Sequence, residues 1–157
     1  MSPASRVANR PSKAPVAKKK PKLVAGWIET IDLPDLRVFG LNAKLDTGAK
    51  SSALHVDNLV MIGGRCVRFD VVIEMPGKRK VRHVEAPVSR RGRVRSSNGE
   101  YTTRVFITTR MRLGELERTI ELSLVDRGRM LHRMLVGRTS LKGVLVDASR
   151  RHVLDRE

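Results

Sequence analysis

The chain has one cysteine, Cys66, which excludes an internal disulfide framework and suits a reducing cytoplasm. It has no continuous apolar run of the kind that forms a secretory signal or a membrane span, so a cytoplasmic protein with no membrane association is expected. No His-Glu-x-x-His run is present, and His55, His83, His132, His152 and Cys66 are scattered without ligand spacing. No Gly-x-x-x-x-Gly-Lys-Ser/Thr loop is present either. Metal and nucleotide chemistry thus have no visible site, and no cofactor is expected. Acidic residues are scarce, at 16 against 32 basic ones, and residues 1–22 contain none.

Those first 22 residues carry Arg6, Arg10, Lys13, Lys18, Lys19, Lys20 and Lys22 together with four prolines, Pro3, Pro11, Pro15 and Pro21. Such a segment buries too little apolar surface to offset its ordering, and a disordered basic arm is expected. Residues 23–157 are long enough for one domain with a modest core. That part holds 25 basic residues against 16 acidic ones, a surplus of nine. Much of the surplus is concentrated in Lys78, Arg79, Lys80, Arg82, Arg90, Arg91, Arg93, Arg95 and Arg104, opposed between Lys78 and Arg104 only by Glu85 and Glu100. A basic excess on a small domain points to an anionic partner: nucleic acid, the ribosome or an acidic peptide. A solvated basic face is the plain alternative.

Short strands with regular turns dominate the patterning. Val24–Leu33 reads as extended and ends at Pro34-Asp35; Arg37–Phe39 is short and is broken by Gly40. Ala43–Leu45 leads to a turn, and Ala53–Met61 runs extended to Gly63-Gly64. Val67, Phe69, Val71 and Ile73 alternate with Arg68, Asp70, Val72 and Glu74, the period of a half-buried strand. Pro76-Gly77 turns the chain into Arg79–Val84, and Thr103–Met111 with Leu116–Leu124 make a hairpin in which Thr119, Glu121 and Ser123 oppose Ile120, Leu122 and Leu124. The expected class is mainly β, a closed barrel or sandwich with one short helix at Thr139–Gly143. A small nucleic-acid-binding barrel has the same pattern.

The most restrictive stretch is Asp46-Thr47-Gly48-Ala49, at the end of a short extended run. A glycine there lets the backbone approach the Asp46 carboxylate. Asp-Thr-Gly also makes ordinary hairpin turns. Hydrolysis of an amide needs a base and an acid together, and two carboxylates about 3 Å apart supply both because they share one proton. The tripeptide occurs once, so the second carboxylate would come from a second copy of the chain. Far downstream, Met134-Leu135-Val136-Gly137-Arg138 reads as a buried strand ending in glycine.

This pairing resembles the aspartic proteases, and its single copy resembles the homodimeric retropepsins. The run Asp46–His55 is similar, over ten residues, to the signature of the bacterial RimB-type retropepsin-like proteins, long labelled ATP-dependent zinc proteases. Arg95-Ser96-Ser97-Asn98-Gly99, Asp126-Arg127 leading into Met134–Arg138, and Val146-Asp147-Ala148-Ser149-Arg150 add to the likeness, which runs from about Gly26 to the C-terminus. The resemblance implies a homodimeric aspartic peptidase that removes glutamates from the C-terminal tail of a small-subunit ribosomal protein. It also implies a link to the glutamate ligase that adds them. A non-catalytic basic β domain that binds the ribosome, RNA or that ligase is the alternative. The basic arm is a candidate for ribosome or RNA contact.

On this reading Asp46 is the catalytic residue, supported by Thr47, Gly48, Ala49 and Gly137, with each Thr47 hydroxyl holding the opposite subunit's turn. Lys44 and Lys50 flank the turn and are candidate substrate-binding residues; residues two apart on a strand share a face, which puts Lys44 on the side of Asp46. Arg93, Arg95, Asn98 and Arg104 are candidate readers of glutamate carboxylates, since guanidinium groups bind carboxylates through paired hydrogen bonds; a basic surface turn is the alternative. Arg138 would meet an acidic substrate group or a carboxylate at the subunit interface. Retropepsins cover their substrate with a glycine-rich hairpin. The nearest candidate is Met75–Lys80, charged and with one glycine, which suits a narrow enzyme for acidic peptides.

Overall fold

In the computed structural model, residues 22–95, 98–126 and 131–155 are described. The expected arm therefore lies outside the described residues except for Lys22. Strand β1 (Leu23–Leu33) leads through a 3-10 turn at Pro34–Leu36 into β2 (Val38–Leu45). Then come β3 (Ser52–His55), β4 (Asp57–Ile62), β5 (Cys66–Met75), β6 (Lys78–Pro87), β7 (Arg90–Arg95), β8 (Tyr101–Leu113) and β9 (Leu116–Val125). The chain ends with β10 (Met134–Val136), a 3-10 turn at Arg138–Ser140, and β11 (Val144–Arg151). No described helix is long and apolar enough to cross a membrane.

Eight strands form one mixed sheet in the order β11-β1-β2-β10-β3-β9-β8-β7. The sheet curls until β1 meets β8 at the pair Asp32 and Arg112, whose side chains lie 3.8 Å apart as an ion pair. The result is a mainly β, ring-like sheet and not the closed barrel expected from the strand pattern. The physical reason is that β1 and β8 share a single bridge, while β7 and β11 stand outside the ring as edge strands. The expected helix at Thr139–Gly143 is instead the three-residue 3-10 turn, which begins one residue earlier.

Strand β2 is longer than expected. It passes through Gly40, whose φ of 73° is accommodated as its N–H donates to Asp32 Oδ1 at 2.8 Å, so the glycine bends the strand without ending it. The expected run Ala53–Met61 is split at buried Val56: β3 joins the ring, while β4 pairs with β5 in a separate three-stranded sheet, β4-β5-β6. Val67, Phe69, Val71 and Ile73 of β5 are all buried, as their period demands, and join Leu33, Val38, Leu41, Leu54, Ile107, Met111 and Leu122 in one core. Val72 is buried as well, although the alternation put it on the polar face.

Strand β10 decides the geometry of the site. It lies between β2 and β3, parallel to β2 (Met134 opposite Ala43, Val136 opposite Leu45) and antiparallel to β3 (Leu135 opposite Ala53). Its hydrophobic residues Met134 and Val136 are fully buried, which anchors the segment that follows against the Asp46 turn.

Candidate active site

Asp46 is the first residue after β2, and its backbone N–H donates to Val136 O at 2.8 Å, so β10 holds the strand's end. The chain then turns tightly: Ala49 N–H donates to Asp46 O at 3.2 Å, and Gly48 N–H donates to Asp46 Oδ1 at 3.0 Å. The second bond fixes the carboxylate's rotamer. Gly48 permits it, because a Cβ there would lie 3.2 Å from Oδ1. Asp46 is half-buried, and Thr47 is exposed on the open side of the turn.

Gly137 packs behind this turn at closest approach. A Cβ on it would lie 2.5 Å from both the carbonyl carbon and oxygen of Ser51 and 2.8 Å from Lys50 O. Arg138 N–H donates to Ala49 O at 2.8 Å and Thr139 N–H to Lys50 O at 3.2 Å, so the two segments are laced together by backbone. The Arg138 guanidinium reaches back over the turn and donates from one nitrogen to Thr47 O (3.2 Å) and Gly48 O (3.0 Å). Arg138 thereby satisfies two carbonyls of the aspartate turn within its own chain, whereas the sequence pattern pointed it at a carboxylate.

Beneath the turn lies a set of buried hydroxyls that sequence reasoning missed. Ser52 Oγ accepts from Gly137 N–H at 3.0 Å and is 2.8 Å from Ser140 Oγ, while Ser123 Oγ donates to Ser52 O at 3.3 Å. All three serines are buried, and each polar atom named has a partner, so the group ties β3, β9 and the 3-10 turn together at little desolvation cost. Ser123 is thus a core residue, although the period of β9 gave it to solvent. The available signal was a small hydroxyl residue inside an otherwise apolar register.

Asp46 opens onto a cavity of about 640 Å³ lined also by Ala49, Lys50, Ala53, Arg95, Arg104 and Leu135. Its far wall is the hairpin β7–β8, in which Arg95 lies opposite Tyr101 and Gly92 opposite Arg104. Arg93 and Arg95 stack over the exposed Tyr101 ring, at 4.7 and 5.9 Å from its centroid. Arg93 faces an adjoining cavity of about 380 Å³ shared with Lys50, Ser51, Arg90 and Thr139. Arg90 is held there by Glu121 at 2.6 Å and lies 3.7 Å over Phe106.

Of the sequence-based candidates, then, Asp46, Gly48, Ala49, Lys50, Arg95 and Arg104 come together around one cavity, with Arg93 beside it. Lys44 does not line it: it pairs with Ile28 and Leu135 in the sheet and lies near His132. Burial lowers the His132 pKa, and the charges of Lys44 and Arg151 lower it further. Asn98 is a turn residue whose Oδ1 accepts Glu100 N–H at 3.3 Å. Ser96, Ser97 and Arg127 of the family-like runs lie outside the described residues. Met75–Lys80, the hairpin expected as a cover, belongs to the separate three-stranded sheet and contributes nothing to the Asp46 cavity, whose wall is β7–β8 instead.

Among the described residues one group has metal-ligand chemistry: Glu29, His152 and Asp155, with ligand atoms within 4.8 Å of one another. It does not line the Asp46 cavity. Buried Glu29 already accepts backbone N–H groups from Gly26 (2.6 Å), Val153 (2.9 Å) and Leu154 (3.2 Å), and His152 pairs with Asp155 at 2.9 Å. These contacts pin residues 152–155 to β1, and Glu29 has little capacity left for a cation.

Residues 24–157 match the model of the RimB-like family, described as retropepsin-like aspartic endopeptidase RimB. A probable alpha-L-glutamate ligase of Parasynechococcus marenigrum is 36% identical over 137 residues, covering 85% of this chain and 29% of that protein. A probable alpha-L-glutamate ligase of Shewanella halifaxensis is 31% identical, covering 87% of this chain and 31% of that protein. The chain spans under a third of the length of these curated relatives. A crystal structure of a Legionella pneumophila protein of unknown function aligns with a TM-score of 0.65 and 28% identity, covering 85% of this chain and 98% of that one. With the aspartate turn, the glycine segment packed behind it and a family match across the whole folded part, the chain belongs to the RimB-like family of retropepsin-like aspartic endopeptidases.

Proposed function

We propose that this chain is a cytoplasmic aspartic peptidase that acts as a homodimer and hydrolyses peptide bonds in glutamate-rich tails of a ribosomal protein. The observation that carries the reading is Asp46, held by Gly48 N–H and Val136 O at the mouth of a cavity rimmed by Lys50, Arg95 and Arg104. One described chain supplies one such carboxylate, and the open side of the turn, with exposed Thr47, is where a second copy would bring its own. In the dimer the ionised Asp46 takes a proton from water as the water oxygen attacks the scissile carbonyl carbon. The protonated Asp46 of the other copy gives its proton toward the departing nitrogen, the C–N bond breaks, and a carboxylic acid and an amine result.

The cationic rim supports an acidic substrate, because guanidinium and ammonium groups bind carboxylates and raise their local concentration. The relatives described as probable alpha-L-glutamate ligases support the same substrate class. This chain corresponds to under a third of their length, so in them a RimB-like region accompanies a longer remainder, and a ligase that adds glutamates is the natural partner of a peptidase that removes them.

The test is incubation of the purified protein with a glutamate-rich peptide and a neutral peptide of equal length, followed by mass spectrometry. Loss of mass from the first only is expected. Asp46→Asn keeps size and the Gly48 hydrogen bond but abolishes proton sharing, and should lower turnover by about 10²-fold or more. Activity within tenfold of wild type in that variant would move catalysis elsewhere.

A further inference from the structure

The three-stranded sheet takes no part in the Asp46 cavity, yet it carries a dense group of cations. Strands β5 and β6 pair without interruption from Cys66 opposite Pro87 to Met75 opposite Lys78, a ribbon about 33 Å long at the usual rise per residue. The base of the ribbon is packed in the core through Val67, Phe69, Val71, Val84 and Ala86. Its far end is different: beyond Glu74, which still reaches Arg133 just before β10, residues 75–81 are all exposed.

The tip carries Lys78, Arg79 and Lys80, and among the described residues none of their side chains makes an ion pair or hydrogen bond. Nearby charges of the sheet are paired: Arg68 with Glu85, His83 with Asp70, and Glu74 with Arg133 from the segment before β10. Three like charges in successive positions repel one another and gain no partner within the described fold, and a polyanion outside it would offset that repulsion.

We propose that the β5–β6 hairpin tip docks this protein on structured RNA through phosphate contacts made by Lys78, Arg79 and Lys80. The choice of RNA over other polyanions rests on the proposed function, which places the substrate tail on a ribosomal protein and hence beside RNA. An exposed ribbon meets the phosphates and shallow minor groove of an A-form helix by shape and charge, without entering its narrow major groove.

The test uses the full-length chain, a fluorescent RNA stem-loop and anisotropy titrations over a series of salt concentrations. Each lost phosphate contact lowers the slope of log Kd against log salt by about 0.7–0.9. The triple variant Lys78→Gln, Arg79→Gln, Lys80→Gln should therefore reduce the slope by roughly 2–3. A control that removes three exposed cations elsewhere, Arg37→Gln, Arg65→Gln and Lys142→Gln, should change it by less than about 1. Equal effects of the two triples would overturn the hairpin assignment, as would tighter binding of the DNA duplex of the same sequence. Displacement of the RNA by a glutamate-rich peptide would assign the tip to substrate instead. Cleavage of a short glutamate-rich peptide, measured on the same proteins, should be unchanged in the hairpin triple. If wild type cleaves nothing while the slope still falls in that triple alone, the peptidase reading fails and the docking surface stands.

Discussion

Gly137→Ala isolates the contact on which the site's geometry depends. Gly137 has φ −86° and ψ 172°, a conformation any residue adopts, so alanine brings no backbone strain and its effect is purely steric. The new methyl carbon would lie 2.5 Å from the carbonyl carbon and oxygen of Ser51. Ordinary contact begins near 3.4 Å, so the two segments must separate by about 0.9 Å. Both atoms belong to backbone, and the segments are joined by Arg138 N–H to Ala49 O, Thr139 N–H to Lys50 O and Gly137 N–H to Ser52 Oγ. The strain cannot be relieved by a rotamer change and must pass to the Asp46 turn. Overpacking of this kind costs about 1–3 kcal/mol. For a folded part of this size that is a fall in Tm of roughly 4–12 °C. A displacement near 1 Å of a catalytic carboxylate costs about 10²-fold in kcat. Calorimetry and cleavage of a glutamate-rich peptide measure the two effects independently. A Tm within about 1 °C of wild type would refute the packing argument, and unchanged kcat with a lowered Tm would show that the turn does not transmit the strain.

Arg138→Ala leaves Thr47 O and Gly48 O without their guanidinium donor, and should lower kcat by about tenfold while moving KM little; a rise in KM alone would return Arg138 to substrate binding. Asp147 accepts from Ser149 Oγ and N–H and from Arg150, which hold its pKa at about 2, below the usual 3.8. Its contribution to folding is therefore complete above the unfolded value and lost as pH falls through about 2, and an NMR titration should find that midpoint, moved upward in Ser149→Ala; an unshifted midpoint in the variant would remove the Ser149 bonds as the cause. On the proposed homodimer, in which each chain would supply one carboxylate of the pair, specific activity should fall on dilution below the dimer dissociation constant, and turnover by a sedimenting monomer would contradict the shared site. Strong chelator should leave both Tm and cleavage unchanged, since Glu29 is occupied by backbone N–H groups; loss of either, restored by zinc, would give the Glu29, His152 and Asp155 group a metal.

Local chemistry was legible in the linear chain. The Asp46 turn is a contiguous run with bonds of its own, such as Gly48 N–H to Asp46 Oδ1, and the period of Val67, Phe69, Val71 and Ile73 declares a buried face whatever it packs against. That Gly137 packs behind the Asp46 turn was implied by the resemblance to the aspartic proteases, which pair such a segment with the aspartate turn, and the close approach of Ser51 to Gly137 is its geometry here. Partners were not legible. Alternation tells which face of a strand is apolar but not which strand lies beside it, so the break at Val56 and the assignment of β4–β6 to a second sheet could not be read. The same holds for β7–β8 as the wall of the Asp46 cavity, for Arg138 aimed at Thr47 and Gly48 carbonyls, and for the Ser52, Ser123 and Ser140 hydroxyls beneath the turn. Each of these joins segments far apart in the chain, and hydrogen-bond register between distant segments is set only when a common core forces them together.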